Sequence, residues 1–160
     1  MLKPAVLYKD QLEKLFAAQL YTENYFMYEG YPYLNELPNL QPAENLFRFA
    51  IVDDNDDTHV IGYFAYRIEG INDSCTSFGI YSFDPGNITN GRDIFNKMEE
   101  LVAQHHRVEW RMISTNPVKR SYDKFCQKHN GNIVCLHDVT KDLEGNYVDE
   151  YIYEIINPNR

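Results

Sequence analysis

Residues 82–93, SFDPGNITNGRD, join an apolar, strand-like run to an amphipathic segment beginning at Arg92. A strand that turns into a helix presents backbone N–H groups at the positive end of the helix dipole, where an anion such as a pyrophosphate binds. Asn90, Gly91, Arg92 and Asp93 stand at that junction. Gly91 lets a phosphate approach the backbone, whereas Asp93, two residues on, brings a carboxylate to the same place. Unit charges about 5 Å apart repel by roughly 3 kcal/mol at an effective dielectric near 20, so the direction of the Asp93 side chain governs anion binding. Arg92 is placed to compensate. With no anion, residues 90–93 are a well-capped helix start, in which a first-turn carboxylate is favourable.

A second group of reactive side chains lies on residues 121–129. Tyr122, Phe125, Cys126 and His129 recur at i, i+3, i+4 and i+7, one face of a helix, with Arg120, Lys124 and Lys128 opposite. Tyr122 reads as a core or rim aromatic whose hydroxyl finds a partner, and Cys126 as a small core residue. Glu69, Asp73, Asp84, His129 and His137 are candidate bases, none with a partner set by spacing. Asn116 follows a strand-like run and would either bind a ligand or cap the next helix. Residues 21–34, YTENYFMYEGYPYL, concentrate tyrosines, Tyr25, Tyr28 and Tyr31 among them. Such rings give rigid contact area with a hydroxyl tip, suited to a pocket wall or to packing a long loop.

The elements that must position these groups follow from periodicity. Asp10 opens an amphipathic helix carrying Leu12, Leu15, Phe16 and Leu20 on one face. Residues 46–52 and 59–68 read as a hairpin around DDNDDT, and residues 75–83 continue past Gly70, Asn72 and Asp73 as a third antiparallel strand. From residue 90 the period becomes helical, with Ile94, Phe95, Met98, Leu101 and Val102 on one face. Residues 108–114 alternate as a strand ended by Asn116 and Pro117, and Asn130-Gly131 stop the helix at 121–129. Residues 132–136 and 147–156 complete the strands of one mixed α/β sheet, in a single domain over residues 1–160.

The formal net charge of −9 repels nucleic-acid backbone and anionic lipid, so neither is an expected partner. The three cysteines, Cys75, Cys126 and Cys135, are widely spaced without a CxxC pair. This argues against a disulfide framework and against a zinc site, and predicts a protein of the reducing cytoplasm with no metal. No run approaches the roughly 18 apolar residues that span a bilayer, and no signal segment is expected.

The order helix, three antiparallel strands, helix, strand, helix, two strands resembles the Gcn5-related N-acetyltransferase family over nearly the whole chain. The residues that carry the likeness are Lys3-Pro4-Ala5, VIGYF at 60–64, FGIYSFDPGNITNG at 78–91, Asn116 after RMIST, and FCQKHNGN at 125–132. The resemblance implies a mixed, mostly antiparallel sheet of six or seven strands flanked by helices. Two central parallel strands, residues 79–83 and 111–115, would splay to admit the acetyl-CoA arm, with Ile80, Ser82 and Phe83 along the first. The family's pyrophosphate pattern, Q/R-x-x-G-x-G/A, aligns Gly91 with the first glycine, Ile88 with the basic or amide residue and Asp93 with the second glycine. Asn90, Gly91, Arg92, Asp93 and Asn116 would then complete the cofactor site, and Asp93→Gly would tighten it.

The family's acid is often a tyrosine on the helix after the asparagine. Counting from Asn116 selects Tyr122, and counting back from Gly131 selects Cys126 or Gln127; Tyr122 is the choice here. Tyr25, Tyr28 and Tyr31 fall where family members wall the acceptor, here a small-molecule or peptide amine. A homodimer through an exposed last strand, residues 147–156, is a further expectation. The alternative is a non-catalytic module of the same fold that has lost the cofactor cradle.

Overall fold

Apolar residues on alternate positions force strands to cover one another or to be covered by helices, and here helices cover both faces of one sheet around its central strands. A computed structural model of the chain describes residues 1–19, 39–84, 86–142 and 144–160, so Tyr25, Tyr28 and Tyr31 lie outside the described residues. The elements are β1 (Leu2–Pro4), a 3-10 turn (Ala5–Tyr8), α1 (Lys9–Gln19), β2 (Leu46–Val52), β3 (Val60–Glu69) and β4 (Ser74–Ser82). They continue with α2 (Ile88–Gln104), β5 (Arg107–Ile113), α3 (Lys119–Lys128), β6 (Asn132–Lys141) and β7 (Tyr147–Ile156). The strands form a seven-stranded sheet in the order β1-β2-β3-β4-β5-β7-β6, antiparallel throughout except for β4 and β5.

Helices α2 and α3 cover one face, packing Met98, Leu101, Tyr122 and Phe125 on Ile61, Phe64, Val108, Trp110 and Met112. Helix α1 covers the other, with Leu12 and Phe16 on Ala50, Tyr63, Ala65 and Tyr81. Strand β3 lies between both layers, which is why every residue from Val60 to Tyr66 is buried. No helix among the described residues is long and apolar enough to cross a membrane.

Two expectations need correction. The last strand is not an exposed edge: β7 sits between β5 and β6, where Trp110 pairs with Tyr153 and their rings stack at 5.1 Å. Burying Tyr153 and Ile155 on both flanks outweighs leaving the strand free, and the sheet edges are β1 and β6. Helix α2 starts at Ile88, earlier than the periodicity placed it, because Asn87 caps it by accepting the Thr89 N–H at 3.0 Å.

The parallel pair is joined at only two registers, Ser74 with Arg107 and Cys75 with Val108. Beyond them the strands diverge, and the cause is local. Between Ala65–Gly79 and Arg67–Thr76, β4 carries one residue more than β3, with Ser77 at φ 53. A bulge of this kind bends its strand and sharpens its twist, which turns the end of β4 away from β5.

Asp73 anchors the closed end of the pair. Its carboxylate meets His105 Nδ1 at 2.9 Å and accepts the His106 N–H at 3.1 Å, while its carbonyl accepts the Arg107 N–H at 3.2 Å. The hydrogen bond from His105, and then that from the His106 amide, hold its carboxyl below the ordinary 3.8. The unfolded chain therefore takes up the proton first, and the stabilisation, full above the ordinary value, is lost as the pH falls through the folded one. Asp73→Asn should lower the thermal midpoint at neutral pH and converge on the parent protein as the pH falls below 3.8 and through the folded-state value, as followed by circular dichroism.

Candidate active site

Where β4 and β5 part, Ile80, Asn116 and Tyr122 come together with Phe78 and Arg111 around one narrow cavity. Ile80 is brought there by β4, Arg111 by β5, and Tyr122 by the first turn and a half of α3. Tyr122 is buried, edge-on to Phe95, Trp110 and Tyr153 at 5.8–5.9 Å. Burial pushes its phenol far above the ordinary tyrosine value, so it keeps its proton at neutral pH. Asn116 uses Oδ1 to accept the Val118 N–H at 3.0 Å, fixing the turn into α3 while its side chain lines the cavity.

The remaining candidates divide into three places. Ser82 and Asn90 meet beneath the start of α2, where Asn90 donates to Ser82 Oγ at 2.7 Å and to the Ile61 carbonyl at 3.3 Å. Phe83 lies on the opposite face, its ring 5.0 Å from that of Phe16 on α1. Arg92 and Asp93 form an ion cluster outside α2: Arg92 bridges Asp93 at 2.9 Å and Asp54 at 2.7 Å, and Asp93 also pairs with the Met1 amine. Only 12% of the Asp93 side chain is exposed, and two cations offset its charge. Asp93→Gly would therefore remove an anchor of β1 along with a repulsive charge.

Gly62 makes room for Asn90. A Cβ there would stand 2.5 Å from Asn90 Oδ1 and 2.9 Å from the Tyr81 carbonyl oxygen. Gly62→Ala should displace Asn90 from Ser82 and cost about 1–3 kcal/mol in urea denaturation. At Gly91, by contrast, a Cβ would meet nothing within 4 Å, so this face of α2 is open to an approaching group.

The parted strand ends, the clear face at Gly91 and a protonated phenol are placed as an extended thioester arm between β4 and β5 requires, but the cavity there, about 10 Å³, must widen to admit it. The start of α2 fits a pyrophosphate less fully. Asn87 already occupies the Thr89 N–H, and Ile88, 87% exposed, supplies no cation.

Among the candidate bases, Asp73 is tied to His105, Asp84 accepts from Asn87 at 2.9 Å, and His129 pairs with Glu99 at 2.9 Å. Glu69 alone of the five faces a cleft of about 350 Å³ beside the splayed strands, shared with Thr76, Ser77, Arg107, Glu109 and Arg111. Glu109 and Arg111 were not singled out from the sequence. Their signal was the alternation in β5, which buries Val108, Trp110 and Met112 and turns Arg107, Glu109 and Arg111 to the other face. Arg111 lines both the cleft and the Tyr122 cavity, so the two adjoin.

The architecture is that of the Gcn5-related N-acetyltransferases. A member from Kribbella flavida superposes with a TM-score of 0.70 at 14% identity, over 98% of this chain and 97% of that one. Mutant forms of the spermidine/spermine N-acetyltransferase from Vibrio cholerae give 0.67 at 15% identity, over 98% and 92%. A probable acetyltransferase of the same family from Chromobacterium violaceum gives 0.53 at 14% identity over 71% of this chain, which spans 60% of that longer protein. No family model and no curated protein sequence matches the chain.

Proposed function

We propose that residues 1–160 act as one acyltransferase domain, an acetyl-CoA-dependent N-acetyltransferase of the cytoplasm that acts on the primary amine of a small molecule or peptide. The observation that carries this reading is the separation of β4 from β5 after two paired registers, with Ile80, Asn116 and Tyr122 lining the opening. Acetyl-CoA would supply the activated acyl group. Ile80 and the free edge of β4 would hold its arm, Asn116 would orient it, and Gly91 would leave space beside α2.

Tyr122, protonated by burial, would donate a hydrogen bond to the thioester sulfur of bound acetyl-CoA. On the other side of the sheet, Glu69 and Glu109 give the cleft carboxylates that would receive an amine and its proton, with Arg107 and Arg111 both paired to Glu109. The net charge of −9 steers cationic acceptors toward the protein. Polyamines and the free α-amine of a peptide are the acceptors to try first, since solved proteins of this fold act on such amines.

Isothermal calorimetry with acetyl-CoA and a thiol-release assay over an amine panel test the proposal. Saturable binding together with amine-dependent thiol release is the expected result, and absence of binding at millimolar acetyl-CoA overturns it. The rival reading, a binding module without catalysis, draws on Asn87 capping its own helix and on Ile88 in place of a basic residue. It requires that coenzyme A leave thermal stability unchanged, whereas a ligand at 100 times its dissociation constant adds about 2.7 kcal/mol.

A further inference from the structure

The β6–β7 hairpin gathers a thiol, an imidazole and a carboxylate at one point. Cys135 and His137 are two residues apart on β6, and Asp149 faces them from β7. Between the pairs Leu136–Glu150 and Thr140–Val148, β6 advances four residues while β7 advances two, and Asp138 sits at φ 55 inside that bulge. A bulge re-aims side chains, and here it sets His137 Nδ1 3.7 Å from Cys135 Sγ and 3.3 Å from Asp149 Oδ2. Cys135 Sγ lies 3.6 Å from the same Asp149 oxygen, closing the triangle.

Those three edges have a chemical meaning. A tetrahedral zinc ion with its usual bonds to sulfur, nitrogen and oxygen separates S from N and S from O by about 3.5 Å, and N from O by about 3.3 Å. The observed triangle of 3.7, 3.6 and 3.3 Å is close to that face of the tetrahedron on every edge. A nucleophilic relay would engage the two ring nitrogens separately, one toward the thiol and one toward the carboxylate. Here a single nitrogen, Nδ1, faces both groups, which is the arrangement of ligands around an ion.

The geometry points to a zinc-class divalent metal site formed by Cys135, His137 and Asp149. Water completes the coordination, because His137 is 79% exposed and the hairpin lies at the sheet edge. A soft thiolate beside an imidazole selects zinc-like ions over calcium and magnesium. The carboxylate of Asp149 is already oriented as a ligand, since Oδ1 accepts the Asp138 N–H at 3.1 Å and leaves Oδ2 to the metal. Its carbonyl accepts the Ser114 N–H at 2.8 Å, so the ion would brace the end of β5 from which Asn116 hangs. The sequence argued against zinc because it lacks a CxxC pair; a C-x-H step on a bulged strand and a carboxylate across the hairpin form no such motif.

Titration of the purified chain with Zn²⁺ against a chromophoric chelator, and with Co²⁺ followed by absorption, tests the assignment. The expected results are one equivalent of tight binding and a Co²⁺ spectrum with tetrahedral visible bands and a thiolate charge-transfer band. Cys135→Ser should abolish the charge-transfer band, and His137→Ala and Asp149→Asn should each weaken binding at least tenfold, with circular dichroism unchanged. Should a variant fail to fold, the Co²⁺ spectrum of the unaltered protein decides: an octahedral spectrum without the thiolate band overturns the site. Absence of binding, or variants that bind like the parent, overturns it equally.

Discussion

Replacing Trp110 by alanine should lower the free energy of unfolding by about 3–5 kcal/mol, read from the midpoint of a urea transition at constant slope. Trp110 is 1% exposed and stands at the centre of the core beneath α2 and α3. Its ring stacks on Tyr153, 5.1 Å away and 4° from parallel, and meets Tyr122 and Phe125 edge-on at 5.9 and 5.8 Å. Truncation would remove one of the largest fully buried side chains and leave four aromatic neighbours, Phe78 among them, facing a void. One observation moderates the loss: the indole Nε1 is buried without a hydrogen-bond partner among the described residues, a cost that alanine relieves. Trp110→Phe should therefore retain much more than half of the stability that alanine forfeits. Equal losses for the two would show that stacking on Tyr153 contributes little.

Tyr122→Phe should reduce kcat about a hundredfold on whichever amine is turned over, with KM and the thermal midpoint nearly unchanged. The ring is the structural part of this residue, and phenylalanine keeps it against Phe95, Trp110 and Tyr153. The hydroxyl is the chemical part, carried by a residue that lines the cavity shared with Ile80 and Asn116. Because burial raises the phenol, Tyr122 stays protonated through neutral and moderately alkaline pH, and the rate profile should show no loss from its ionisation there. A Phe variant as active as the parent would remove Tyr122 from the chemistry and leave it a core aromatic. Measuring KM and kcat separately distinguishes a lost donor from a distorted acceptor cleft.

Much of the architecture was legible in the sequence because it follows from local periodicity. The turn residues that bound 46–52, 59–68 and 75–83, the alternation in 108–114, and the period near 3.6 after residue 90 and in 121–129 placed the central elements within a few residues. The face of α3 carrying Tyr122, Phe125 and Cys126 is indeed buried, and Asn130-Gly131 does end that helix. Gly131 does so for a reason outside the helix: a Cβ there would stand 2.6 Å from both Cys126 Sγ and the Glu154 carbonyl of β7.

The site was only partly legible. Ile80, Asn116 and Tyr122 were identified and do converge, whereas Glu109 and Arg111 passed as ordinary alternation in a strand. Asp93, which from its position alone opposed an anion, turns to Arg92 and the Met1 amine. Nothing near it in the chain announces that the first residue returns to it through the β1–β2 pairing.

The sequence by itself determined which segments are strands and helices and which of their faces are apolar, since those properties depend on neighbours within about four residues. The tertiary structure alone decided the insertion of β7 between β5 and β6, the parting of β4 from β5 at the Ser77 bulge, and the meeting of Cys135, His137 and Asp149. Each of these rests on pairing between strands, where a shift of one residue turns every side chain to the opposite face. Register is settled by the packing of the whole sheet, and with it the identity of the groups that stand close enough to do chemistry.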